Sequence, residues 1–167
     1  MTEDFEEFKL SKKAKEKLKN KPLLKKELAA GKTPQEILGF PDETMAKFYH
    51  AANTLFEGRH YTDAANAFLF LVTLNTHNHD YWLGLGMATQ MCGDFEAAID
   101  AYEMAAMTDV ESPVPYFYLA KCLFAIHDRD SALQAIELAL EYAEDKEEYN
   151  DLREQSLAAK KLLVNHR

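Results

Sequence analysis

Phe48, Trp82 and Tyr116 stand 34 positions apart, and their surroundings recur at the same interval. Four places after each aromatic comes a small residue: Ala52, Gly86 and Ala120. Leu55, Thr89 and Leu123 follow, with only the middle one departing from apolar. Then come Ala64, Ala98 and Ala132, and four places later Phe68, Tyr102 and Ile136. Leu71, Ala105 and Ala139 lie near the end of each copy. A period of this length marks one supersecondary unit that leans on its neighbours to bury its apolar side. Each register has a physical use. The bulky and small residues sit one turn apart on a first helix. The small residue and the later alanine let a second helix cross closely, and the apolar residue beyond them fills the gap between hairpins.

The spacing is that of the tetratricopeptide pattern W-x₂-L-G-x₂-Y…A-x₃-F. Its best copy is Trp82-x₂-Leu85-Gly86 followed by Ala98-x₃-Tyr102. The proline that closes such repeats is absent, replaced by Thr76, Val110 and Glu144. Gly and Pro together number only 11, and no stretch alternates apolar with polar residues as a half-buried strand would. The expected fold is all-α: three tandem tetratricopeptide hairpins forming a superhelix with a concave groove. A helical extension over residues 1–44 precedes repeats at about 45–77, 78–111 and 112–144, and residues 145–167 cap them. The period fails beyond residue 144, where Asn150, Arg153 and Glu154 would occupy the apolar sites. A covering helix over 145–165, with Tyr149, Leu152, Ala159 and Leu163 on one side, is expected to close the last hairpin.

Local signals punctuate the rest. Residues 22–30 begin with Pro and end before Gly31, as a short helix should. Thr33-Pro34-Gln35-Glu36 is a capping box that starts a brief helix through Leu38, ended by Gly39. Asp42 is expected to cap the first helix of the first repeat, and Asp94, Asp128 and Asp130 serve helix starts likewise. Pro113 and Pro115 open the third repeat. Gly58 falls one place ahead of Gly93 in phase, so the first turn is expected to hold an extra residue around Arg59-His60. Residues 1–20 are Lys-rich, with Phe5, Phe8, Leu10 and Leu18 as apolar anchors.

A net charge of −9 argues against nucleic acid as the main partner. Residues 1–32 carry ten Lys/Arg against six Asp/Glu, whereas residues 33–167 carry nine against 22. The basic start therefore suits an acidic surface on a partner or on a second copy of the chain. No apolar run approaches the ~20 residues of a membrane span, and Met1-Thr2-Glu3-Asp4-Phe5 is unlike a signal peptide. Cys92 and Cys122 have no metal-binding spacing, read as packed thiols, and fit a reducing cytoplasm. His77-Asn78-His79-Asp80 is the only cluster of metal-ligand types; it falls in a turn and lacks a third ligand. No cofactor loop or nucleophile motif is present, which leaves no enzyme reading.

The groove is then the site. With the aromatic register as position 4, inward side chains fall near positions 5, 9 and 12. These are Tyr49, Asn53 and Phe56; Leu83, Met87 and Gln90; and Phe117, Lys121 and Phe124, with Asp80 and Val114 at the rim. Six of the nine are Tyr, Phe, Leu or Met. Grooves that grip a C-terminal carboxylate use Lys, Arg and Asn here, and only Asn53 and Lys121 are of that kind. Such a wall suits an extended peptide with spaced apolar anchors. The competing readings are a generic tetratricopeptide scaffold joining two folded proteins, and packing of some of these residues under the flanking helices.

Several segments resemble the class II chaperones of bacterial type III secretion, the SycD/LcrH/IpgC/PcrH family. These are Ala30-Gly31-Lys32-Thr33 leading to Pro41-Asp42-Glu43-Thr44-Met45, Tyr49, and the Phe-Glu-Gly-Arg turn at 56–59. Leu83-Gly84-Leu85-Gly86 and Pro113-Val114-Pro115-Tyr116-Phe117 belong with them. The resemblance implies a cytoplasmic chaperone that holds hydrophobic translocator proteins before export. It implies an extended segment of the form Pro-x-Leu-x-x-Pro in the groove, against Tyr49 and Phe56 with Leu83, Phe117 and Phe124 deeper in. It also implies a homodimer through the N-terminal helices, here residues 5–30.

Overall fold

The computed structural model describes residues 10–165, so Phe5, Phe8 and residues 5–9 of the expected dimer contact lie outside it, as does His166. Three short helices come first: α1 (Lys12–Lys19), α2 (Lys21–Ala29) and α3 (Pro34–Leu38). Three hairpins follow, pairing α4 (Asp42–Glu57) with α5 (Tyr61–Leu74), α6 (His79–Met91) with α7 (Phe95–Thr108), and α8 (Val114–Ala125) with α9 (Arg129–Ala143). A 3₁₀ turn at Glu147–Tyr149 leads into α10 (Asn150–Asn165). No strand occurs among the described residues. The fold is the all-α hairpin stack expected from the period.

The register residues do what the period requires of them. Ala52, Ala64, Ala98, Ala132 and Ala139 are all fully buried, which is where helices cross most closely. Phe68, Tyr102 and Ile136 fill the spaces between hairpins and are buried too. Burying a side chain of Phe or Leu size contributes about 1.5–3 kcal/mol before ordering costs. Two apolar clusters result. One runs from Met45 and Phe48 through Phe68 and Leu71 to Leu85; the other joins Tyr102, Phe117 and Ile136 to Leu163 of α10.

The turns inside the hairpins correct one expectation. Each holds three residues, 58–60, 92–94 and 126–128, so the first has no extra one. Positive φ falls on Arg59 (63°), Gly93 (80°) and His127 (68°), which are 34 apart. The hydrogen bonds repeat with them. His60 N–H donates to Leu55 O, Asp94 N–H to Thr89 O and Asp128 N–H to Leu123 O, each at 2.9–3.0 Å. This is the left-handed closure of a helix end, and it belongs to the position. Glycine serves it only once; Gly58 is the helix-capping residue before it.

The caps hold with two exceptions. Thr33, Asn78, Asp94 and Asp128 accept from backbone N–H groups three residues on. Asp42 does not cap α4: Pro41 occupies that place, Asp42 is already helical, and its carboxylate accepts from Gln35 Nε2 at 2.9 Å. Asp130 sits inside the first turn of α9, where its charge suits the helix dipole.

Both ends of the stack are closed. Phe40, after α3, sets its ring edge-on to Phe48 at 5.5 Å, and Ile37 is buried beside α1, whose Lys17 Nζ donates to Ile37 O. At the other end Leu152, Ala159 and Leu163 of α10 pack on the second cluster. Arg153, polar where a fourth repeat would be apolar, ties the connecting turn. Its guanidinium donates to Glu144 O at 2.7 Å and Lys146 O at 3.1 Å.

Candidate functional site

Helices α4, α6, α8 and α10 touch one another in succession, while no comparable contact joins α5 to α7 or α7 to α9. Helices that meet lie on the inside of a curve and those that splay lie outside. The first helix of each hairpin therefore lines the concave wall, with α10 as its last member.

The expected groove residues occupy this wall at different depths. Tyr49 is half-buried; its ring packs against Phe68 at 6.2 Å and Tyr81 at 5.6 Å. Asn53 and Phe56 are half-buried on the same helix, with Phe56 edge-on to Tyr61 at 5.3 Å. Leu83 and Met87 lean on the second core cluster. Gln90 accepts a 2.7 Å hydrogen bond from the Tyr102 hydroxyl, which fixes its amide. Phe117 forms the floor at 6% exposure, whereas Phe124 stands 51% exposed. Lys121 is exposed and lays Nζ over the Phe117 ring at 4.5 Å from its centre.

The groove widens into a cavity at each end. The first, about 310 Å³, lies between α4 and α6 with Tyr49 and Tyr81 in its walls. Among the described residues its charged lining groups are Asp42 and Asp80. Burial first, and then the Asp42 carboxylate, raises the Tyr81 phenol above its ordinary pKa. The second cavity, about 510 Å³, lies between α8, α9 and α10. Phe117, Phe124, Ile136, Ala159 and Leu162 give it apolar walls; among the described residues Lys121 and Arg129 are its charged lining groups.

Arg129, Ala159 and Leu162 were not legible as site residues, because they come from a second helix and from outside the period. Asp42 was legible only as a cap. Both cysteines were expected to be packed, yet Cys92 is exposed, since it ends α6. Cys122 is buried, and burial pushes its thiol up to about 11. The histidine turn is structural: a carbonyl can only accept, so His79 Nδ1 donates to Ala105 O of α7 at 2.7 Å. Among the described residues no three His, Cys, Asp or Glu converge to hold a metal, and no helix is long and apolar enough to cross a membrane.

The same architecture is found in proteins of known role. No family model matches the chain. It is 29% identical to the low calcium response locus protein H of Yersinia pestis over 125 residues, 75% of this chain and 74% of that protein. It is 27% identical to the chaperone SicA of Salmonella typhimurium over 119 residues, 71% and 72% of the two chains. The type III secretion translocator chaperone SycD of Yersinia enterocolitica superposes with a TM-score of 0.74 at 25% identity. That match covers 78% of this chain and 98% of SycD. The chain is similar to these secretion chaperones in sequence and in fold. In a second structure, matched at a TM-score of 0.73 and 26% identity over 74% of this chain and 95% of that one, SycD is in complex with a peptide of the translocator YopD. The class II resemblance read from the flanking segments and the repeats is thereby borne out.

Proposed function

We propose that this chain is a chaperone of type III secretion that keeps a hydrophobic translocator protein soluble in the bacterial cytoplasm. An extended segment of that protein, anchored by spaced Pro and Leu side chains, lies in the groove formed by α4, α6, α8 and α10. The observation that carries this reading is the continuous inner wall: half-buried Tyr49, Phe56, Leu83 and Met87 lead to Phe117 and exposed Phe124. Side chains left partly exposed along one concave face have area to bury on a ligand. Three or four apolar anchors contributing about 1.5–3 kcal/mol each, less ordering costs, give a complex between about micromolar and nanomolar. Such a complex holds its cargo and still releases it. This is binding, with no chemical step.

SycD has been solved as an alternative dimer. A dimer through the N-terminal helices fits this chain as well, because Leu18, Leu23 and Leu28 of α1 and α2 are exposed.

The groove is tested with Tyr49→Ala combined with Phe124→Ala. Phe124 is the better partner for Tyr49 because Phe117 is core, where truncation costs about 3–5 kcal/mol. The expected result is native helical content with at least tenfold weaker binding of a translocator segment. A folded double variant of unchanged affinity removes the groove from the reading.

A further inference from the structure

The last wall of the groove is tied at its root by one side chain. Helix α9 ends at Ala143, and Glu144 follows with φ 48° and ψ −140°. A left-handed φ with extended ψ is entered freely by glycine alone. Arg153, half-buried on the first turn of α10, spans this connection. Its Nε donates to Glu144 O at 2.7 Å, Nη2 to Lys146 O at 3.1 Å and Nη1 to Asn150 Oδ1 at 2.7 Å. One rigid planar group thus binds the strained residue, the turn after it and the first residue of α10.

The helix held in this way is only partly fixed elsewhere. It packs mainly along α9 and touches α8 much less. The cavity of about 510 Å³ lies between them, with Ala159, Leu162 and Leu163 on the α10 side. The distance from α8 to α10 therefore follows from the angle at which α10 leaves the turn. Leu163 stands ten residues beyond Arg153. That is about 15 Å along the helix, so a tilt of about 10° at the turn moves Leu163 by about 3 Å.

Resting on the groove reading, we propose that Arg153 is a positioning residue for cargo binding. By holding the strained turn at Glu144 it sets α10 at the distance from α8 at which Ala159, Leu162 and Leu163 close over an apolar side chain of the bound segment. Arg153 acts through α10 and not by its own contact with the segment. Lysine cannot take its place, because one ammonium nitrogen does not reproduce a fork that serves three acceptors.

Two measurements on the full chain test this: hydrogen exchange resolved by segment, and anisotropy with a labelled synthetic peptide. The peptide has about twelve residues with Leu and Pro at spaced positions, long enough when extended to run from α4 to α10. Arg153→Ala should speed exchange of the α10 amides by about tenfold and leave those of α4 to α7 unchanged. Peptide affinity should fall by about five- to tenfold. Adding Glu144→Gly removes the strain that Arg153 offsets, so the double variant should recover most of both losses. Glu144 is exposed, so the glycine takes nothing from the core. Arg153→Lys keeps the charge, should behave like Arg153→Ala, and replaces it if the alanine variant does not fold. Unchanged α10 exchange, unchanged affinity with α10 loosened, full affinity in Arg153→Lys or no rescue by Glu144→Gly overturns the positioning role and leaves the groove standing. Failure of the peptide to bind the unaltered chain overturns both.

Discussion

The ring of Tyr102 lies against Gly86 so closely that a Cβ on the glycine would stand 2.5 Å from Tyr102 Cε1. The ring cannot swing aside, because Tyr102 is fully buried and its hydroxyl is held by Gln90 of α6, four residues after Gly86. The hairpins on either side carry Ala52 and Ala120 at this register, and Phe68 and Ile136 where Tyr102 stands. Gly86→Ala should therefore destabilise the fold by about 1–3 kcal/mol, the usual cost of overpacking a core. The better helix propensity of alanine returns less than about 1 kcal/mol. Thermal unfolding followed by circular dichroism should show a lower midpoint; an equal or higher one would mean the ring has room to move.

The left-handed turn positions give a prediction of opposite sign. Arg59 and His127 carry the positive φ that Gly93 carries in the middle hairpin. Side chains pay about 1 kcal/mol for that conformation, and glycine does not. Arg59→Gly and His127→Gly should each raise the urea midpoint by an amount worth about 0.5–1 kcal/mol, while Gly93→Ala lowers it. A fall in both glycine variants would show that the turn side chains make contacts worth more than the strain.

These turns also mark where sequence reasoning stops. The hairpins were legible because each register site answers to a local crossing, and Ala64, Ala98 and Ala132 can satisfy it only by being small. The first turn was not legible, because glycine does not mark a conformation that the position imposes on Arg59 as well. The inner wall was legible for the same reason as the crossings. Its depth was not: Phe117 and Phe124 lie two turns apart on α8, yet one is buried and the other exposed. That difference depends on α10, which belongs to no repeat and whose connecting turn is set by three polar contacts of Arg153.

The two thiols should separate in reactivity. Cys92 is exposed at the end of α6, and Cys122 is buried with its thiol pushed up to about 11. At pH 8 the thiolate is the reactive form, so Cys92 should label rapidly and Cys122 only on unfolding. A burst of two equivalents from native protein would contradict this burial. The same shift has a stability consequence. A group with a raised folded pKa contributes stability below its ordinary pKa and loses it as pH climbs through the folded value. Stability should thus fall between about pH 9 and 11, and Tyr102, raised by burial, pushes in the same direction. Cys122→Ala should flatten part of that alkaline loss.

The dimer proposed through the N-terminal helices can be tested without cutting them away. Truncation to residue 20 would remove Ala14, which is buried, and the Lys17 bond to Ile37 O, so a lost dimer would be ambiguous. Leu18, Leu23 and Leu28 offer a cleaner handle, since all three are exposed on α1 and α2. Replacing them with Lys, Asp and Lys removes apolar area that a second copy would cover and leaves the interior alone. Each leucine buried at an interface contributes about 1.5–3 kcal/mol before ordering costs, so losing three weakens association by several orders of magnitude. Sedimentation at micromolar concentration should find the parent chain near 38 kDa, twice its 19.1 kDa mass, and the triple variant at the monomer mass. Native helical content in the variant completes the test. A variant that keeps the dimer mass places the contact elsewhere, and a monomeric parent chain removes the dimer altogether.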